Sequence, residues 1–204
     1  LWLLAGAGAH AQSDEEEMAR LYGDKSMVTI ATGTSQPLHL APSVATVITA
    51  EDIQAQGADD LDQVLEKVPG LHVSRSPVGY GPIYVIRGIR GTELNPEVLV
   101  LVNGVPITVA YGGDRGVNWG GWPVENIARI EVIRGPGSAL YGADAFSGVI
   151  NIITKTTADM KGTQVGLRMG SYTSRAAWLL HGGNVGPVAV AAYFSAGKTN
   201  GSRP

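Results

Sequence analysis

ARIEVIRGPGSALYGADAFSGVINIITK, residues 128–155, reads as a strand, a glycine-rich turn and a second strand. Arg129, Glu131 and Arg134 bracket a β-branched run, the pattern of a strand with one wetted face. Gly135-Pro136-Gly137 stops it, because proline fixes φ and glycine reaches positive φ. The segment 148–154, GVINIIT, resumes as a strand apolar on both faces, which predicts burial on both.

A glycine loop between strands invites an enzyme reading, so the residues around it are the first test. A Walker loop needs Lys and Ser/Thr after its last glycine, and Ala143-Asp144 follow Gly142 instead. A dinucleotide fingerprint needs G-x-G-x-x-G opening a long helix. Here the third glycine is missing and the chain returns to strand within about ten residues. The G-x-S-x-G elbow of a serine hydrolase is absent as well. The turn reads as structural.

Composition narrows the class. The 204 residues hold 28 Gly, 11 Pro and no Cys, with 16% charged residues and a net charge of −3. Few charges with many glycines and β-branched residues describe a strand-rich, turn-rich protein. The balance gives no basic footprint for nucleic acid. Without Cys there are no disulfides, no thiol chemistry and no Cys-based metal site. His10, His39, His72 and His181 are scattered without metal-ligand spacing. No metal ligands, cofactor-binding residues or catalytic residues are expected.

The first eleven residues, LWLLAGAGAHA, are apolar and end in Ala-His-Ala before polar Gln12-Ser13-Asp14. That reads as a signal-peptide remnant with an A-x-A cleavage site, and predicts export. No stretch approaches the ~20 apolar residues of a spanning helix, so any membrane span must be β. Residues 12–42 form a polar arm, in which 15–22 could make a short helix and 27–31 (MVTIA) a short extended segment. Pro37 and Pro42 interrupt regular structure there.

A compact unit is expected over 43–158. Residues 43–49 read as a strand. Thr49 and Asp52 resemble a capping box that opens a helix over about 51–56, and Gly57 ends it. A second helix over about 60–67 starts near Asp59, with Leu61, Val64, Leu65 and Val68 on one face, and Pro69-Gly70 ends it. Strands follow from Leu71 and over 83–86. Segments 98–102 and 105–109 flank Asn103-Gly104, a type I′ hairpin pair, with Pro106 tolerable early in an edge strand. Residues 111–122 form a Gly- and aromatic-rich loop, and 123–126 read as one helical turn.

Beyond Lys155 the character changes. Val165, Leu167 and Met169 alternate with Gln164, Gly166 and Arg168. Ala176, Trp178 and Leu180 alternate likewise, Gly182-Gly183-Asn184 reads as a turn, and Val188, Val190, Ala192 and Phe194 alternate with small residues. Alternating strands of about ten residues with short turns are the pattern of a transmembrane barrel. Three strands cannot close one, so most of such a barrel would lie beyond Pro204.

Residues 128–155 resemble the end of the plug domain of TonB-dependent outer-membrane receptors. The resemblance extends upstream through SVATVITAEDIQAQGADDLDQVLEKVPGLHVSR (43–75), IYVIRGIRG (83–91) and VLVLVNGVPI (98–107), in the family's order and spacing. It implies an α+β plug domain with a small mixed β-sheet (43–158), followed by the first antiparallel strands of a transmembrane β-barrel (159–204). It places the protein in the outer membrane of a Gram-negative bacterium, the plug inside the barrel and the arm in the periplasm.

The resemblance also assigns roles. Met27, Val28, Thr29, Ile30 and Ala31 are similar to the TonB box, which pairs with a periplasmic energy transducer by strand addition. The acidic residue often found before the box is here Asp24, three positions upstream. Arg87 and Arg134, each in an Ile-Arg-Gly motif, would pair with glutamates of the barrel wall. Tyr80, Tyr111, Arg115, Trp119 and Trp122 lie on loops that would contact ligand or pack against the wall. The implied activity is gated uptake of an extracellular metal chelate, by family frequency iron–siderophore, with cobalamin or a glycan as alternatives. Two readings of other classes are a soluble periplasmic nucleotide-binding enzyme and a surface adhesin.

Overall fold

The computed structural model describes residues 27–28, 36–37, 44–77, 81–91, 97–107, 121–136, 141–160 and 162–201. Strands β1 (Met27–Val28) and β2 (Gln36–Pro37) form a small antiparallel pair. Strand β3 (Val44–Thr49) leads into helix α1 (Ala50–Gln56) and helix α2 (Leu61–Glu66). Then come β4 (Leu71–Arg75), β5 (Pro82–Ile86), β6 (Val98–Val102), β7 (Val105–Pro106), β8 (Ile127–Arg134), a short 3₁₀ turn (Ala143–Ala145) and β9 (Gly148–Thr154). Strands β10 (Gly162–Gly170), β11 (Ser174–Val185) and β12 (Val188–Lys198) complete the chain.

The helices begin where the local chemistry dictates. Thr49 and Asp52 bond reciprocally across the first turn of α1, and Gly57 closes it at φ 64°. The Asp60 side chain accepts from the Gln63 backbone N–H to open α2. Leu61, Val64 and Leu65 are buried, as their spacing predicts.

A five-stranded mixed sheet of order β3-β8-β9-β6-β7 forms the centre. Strands β6 and β9 run parallel and the other pairs antiparallel. Val98, Val100, Ile130, Val132, Ile150 and Ile152 pack on one face with both helices and with the separate β4–β5 hairpin. Leu99, Leu101, Ile133 and Val149 form a second cluster on the other face with Ala145 and Tyr141. Asn103 and Gly104 both take positive φ, 51° and 79°, as a type I′ turn requires. Pro106 sits on the edge strand, where its missing N–H costs no ladder bond.

Four expectations need correction. The Glu131 face of β8 is not wetted: Glu131 is 0% exposed and accepts from Arg129 Nε at 3.0 Å. Tyr141 and Ala145 pack across that face, and β3 and β9 flank the strand on both sides. Residues 123–126 make no helical turn. Pro123 bridges Asp60, and Ile127 N donates to Val124 O at 3.0 Å, a single tight turn. The strand after Asn103-Gly104 ends at Pro106.

The chain also does not turn at 182–184. Strand β11 continues to Val185, and Gly186, at φ 62°, makes the turn with Pro187. Gly182 serves a different purpose, since a Cβ there would lie 2.3 Å from the Met160 carbonyl oxygen. It marks a close backbone approach rather than a turn.

Strands β10, β11 and β12 form an antiparallel meander. Val165, Leu167, Met169 and Phe194 stay exposed on its outer face, while Arg168, Trp178, Leu180 and Tyr193 belong to the face turned toward the first unit.

Candidate functional site: plug corner and barrel junction

The two Ile-Arg-Gly motifs end neighbouring elements and meet at one corner. Arg87 follows β5 in a left-handed conformation (φ 53°), and its backbone N donates to Gly70 O at 2.9 Å. Its guanidinium lies over Gly135, where a Cβ would come within 3.2 Å of Nη1. Gly135 therefore keeps room for that side chain. Arg134 ends β8 and turns inward. It donates to the Pro69 carbonyl and, at 2.9 Å, to Thr46 Oγ1, tying the turn after α2 to the edge strand β3. The buried Arg134 Nε has no hydrogen-bond partner among the described residues. Neither guanidinium has a carboxylate partner among them either.

Trp122 is half-buried against the main core, and its carbonyl accepts from Leu61 N at 2.9 Å. It anchors its loop to the start of α2. Tyr80, Tyr111, Arg115 and Trp119 lie outside the described residues. Met27 and Val28 pair with Pro37 and Gln36, whereas Thr29, Ile30 and Ala31 lie outside the described residues.

Under the β4–β5 hairpin is a charged cluster that the helical pattern did not announce. Asp62 on α2 is 2% exposed, accepts from Arg75 Nη1 at 2.7 Å and from the Tyr84 hydroxyl at 3.3 Å. Burial raises the Asp62 carboxyl above its ordinary pKa, and the Arg75 guanidinium opposes that rise. Burial, reinforced by the Asp62 charge, pushes the Tyr84 hydroxyl well above its usual value.

A second group joins the first unit to the strands that follow. Arg168 on β10 reaches Asp59 Oδ1 through Nε at 3.0 Å and Glu125 Oε1 through Nη2. It also lies 5.3 Å above the Trp178 ring. The Tyr193 hydroxyl donates to Glu125 Oε2 at 3.0 Å. The sequence held one signal for this group. Arg168 alternates with Val165, Leu167 and Met169, so it lies on the face opposite that apolar row; its carboxylate partners, over forty positions away, were not legible.

The TonB-dependent receptor plug domain model matches residues 37–149. The chain belongs to the TonB-dependent receptor plug family. The plug is followed by the start of the barrel, which is not closed within these 204 residues. The vitamin B12 transporter BtuB of Vibrio vulnificus is 40% identical over 153 residues, 74% of this chain. The chain spans about a quarter of that relative's length (24%).

Solved receptors share the plug fold. The siderophore receptor PirA from Pseudomonas aeruginosa is 33% identical at TM-score 0.56, covering 78% of this chain and 29% of that one. The ferric-catecholate import receptor Fiu from E. coli K12 is 25% identical at TM-score 0.60, covering 80% and 22%. These relatives are transporters and receptors rather than enzymes, which sets aside the nucleotide-binding reading. Among the described residues no group of three or more His, Cys, Asp or Glu is placed to hold a metal ion.

Proposed function

We propose that this chain is the ligand-binding gate of an outer-membrane transporter that takes up a metal chelate, with uptake energised by a TonB-type transducer. The carrying observation is the plug-family body seated against the polar side of β10–β12, whose other side is an exposed apolar stripe. A body packed against a wall, with no metal-holding cluster among the described residues, suits opening and closing.

In this reading the transducer adds a strand to residues 27–31. The two-residue pairing of β1 with β2 is short enough to give way to it. Arg87 and Arg134 meet carboxylates of the barrel wall, for which the absence of a carboxylate partner to either guanidinium among the described residues is support. The loops carrying Tyr80, Tyr111, Arg115 and Trp119 contact the ligand, and Trp122 fixes the base of one of them. The relatives divide between two of the ligands considered: PirA, a siderophore receptor, supports the iron–siderophore reading, and the 40% identical vitamin B12 transporter supports the cobalamin alternative.

The test uses the full-length receptor in cells with and without the transducer. Cobalamin, a panel of iron–siderophores and oligosaccharides are titrated for binding and uptake. Ile30→Pro removes a backbone N–H from the added strand and is expected to abolish uptake while binding stays intact. Uptake at the normal rate in that variant rejects the transducer-binding segment. A preference for an oligosaccharide rejects the chelate class.

A further inference from the structure

We propose that Arg168 is a clasp that fastens the plug to the first barrel strands, and that it must open before the plug shifts against this side of the wall. The contact is of opposite polarity to the Arg87–Arg134 corner: the cation belongs to the barrel and the carboxylates to the plug. Three donor groups of one guanidinium engage the plug. Nε bonds Asp59 Oδ1 at 3.0 Å, Nη1 bonds the Asp59 carbonyl at 3.3 Å, and Nη2 bonds Glu125 Oε1.

The wall side is preorganised for this grip. Trp178 supports the guanidinium from beneath, and Gly166 across from it on β10 makes space for the ring, since a Cβ there would lie 2.1 Å from it. Tyr193 on β12 takes the second oxygen of Glu125, so both oxygens of that carboxylate are held by barrel strands. Glu125 is largely buried, with a side chain 10% exposed, so releasing it leaves a carboxylate poorly solvated.

The plug side is equally firm. Asp59 stands at the turn between α1 and α2, and Glu125 in the turn before β8. Those two turns are tied to each other by the Asp60–Pro123 bridge and by Leu61 N donating to Trp122 O at 2.9 Å. Force on either turn therefore passes to the helices and the central sheet. Open clefts flank the clasp on both sides. One is lined by Ile53, Lys155 and Gln164, the other by Gln63, Ser174 and Ser195. Between these clefts the polar plug–wall contacts among the described residues are those of Arg168 and Tyr193.

The consequence for uptake rests on the gate reading above, but the clasp has a readout that needs neither ligand nor transducer. The full-length receptor is placed in planar bilayers, and plug release is followed as the rise in conductance at fixed urea. Arg168→Gln and Glu125→Gln are each expected to speed release about tenfold. The Glu125→Gln effect should largely vanish in the Arg168→Gln background, because the two share one interaction. Tyr193→Phe should speed release less. If Arg168→Gln prevents barrel assembly, judged by heat-modifiable gel migration, Glu125→Gln and Tyr193→Phe carry the test.

Unchanged release in Arg168→Gln, or effects of the two Gln variants that simply add, overturns the clasp. Should Arg168→Gln fail to assemble, unchanged release in both remaining variants overturns it. Wild-type receptor with no transducer-dependent uptake overturns the gate reading and leaves the release result standing. Normal uptake with equal release rates removes the clasp alone.

Discussion

Strands β9 and β10 are neighbours in the chain and live in different solvents. In β9, Val149, Ile150 and Ile152 are all 0% exposed, with packed clusters on both faces of the sheet. In β10, Val165, Leu167 and Met169 are 70%, 74% and 85% exposed, while the intervening Gln164 and Arg168 turn toward the plug. The plug strand is apolar on two sides because protein covers both. The barrel strand is apolar on one side because lipid is to cover it, and polar on the other because it meets a polar partner.

The sharpest way to break this comparison is the same substitution in both strands. Ile150→Arg buries an unpaired cation between the sheet and the helices, and is expected to cost more than about 5 kcal/mol and unfold the plug. Leu167→Arg should cost about 2–4 kcal/mol, and only in a bilayer. Limited proteolysis of the plug in full-length receptor reads the first. Urea-dependent refolding into lipid vesicles, compared with a detergent reference, reads the second. A proteolysis-resistant plug in the Ile150 variant, or a Leu167 penalty equal in detergent and lipid, would undo the two-solvent account.

A middle-sized effect probes the charge inside the plug. Arg75→Ala leaves Asp62 buried with the Tyr84 hydroxyl, at a cost of about 1–3 kcal/mol, kept modest because Arg75 itself is half exposed. The sign with pH follows from the raised Asp62 pKa. A folded state that holds the proton more tightly than the unfolded chain gains stability below the unfolded pKa, and loses that gain as pH rises through the folded pKa. Removing Arg75 takes away the influence that lowers the folded pKa, so this window extends further upward. The variant should therefore be most impaired at neutral pH and recover toward wild type in the acid range, read as the urea midpoint of plug proteolysis. Impairment that grows on acidification would refute the sign.

The smallest expected effect is at a helix start. Thr49→Ala removes both the acceptor for Asp52 N and a donor to the Asp52 carboxylate, at about 1 kcal/mol. Because α1 packs on the plug core and has no lipid contact to lose, the shift should be the same in detergent and in vesicles.

Local chemistry by itself determined much of this protein. The capping box at Thr49, the apolar face of α2, the Asn103-Gly104 turn and the alternation of β10 each depend on residues within a few positions of one another. Backbone sterics and side-chain period fix such features before any packing occurs. The order of the motifs was enough to place the chain in its family, and the matched model agrees.

Tertiary structure alone decided where charges go. Glu131 reads as the wetted side of a strand, yet Tyr141 and Ala145 pack across that face. Gly182-Gly183 reads as a turn, yet Gly182 makes room for Met160 inside a continuous strand. Arg134 reads, by resemblance, as a partner for glutamates of the wall, and among the described residues it bonds Pro69 and Thr46. Arg168 finds Asp59 and Glu125, 109 and 43 positions away. Local pattern reports which side of an element is polar. Which partner covers that side depends on chain closure over long separations, and no periodicity encodes it.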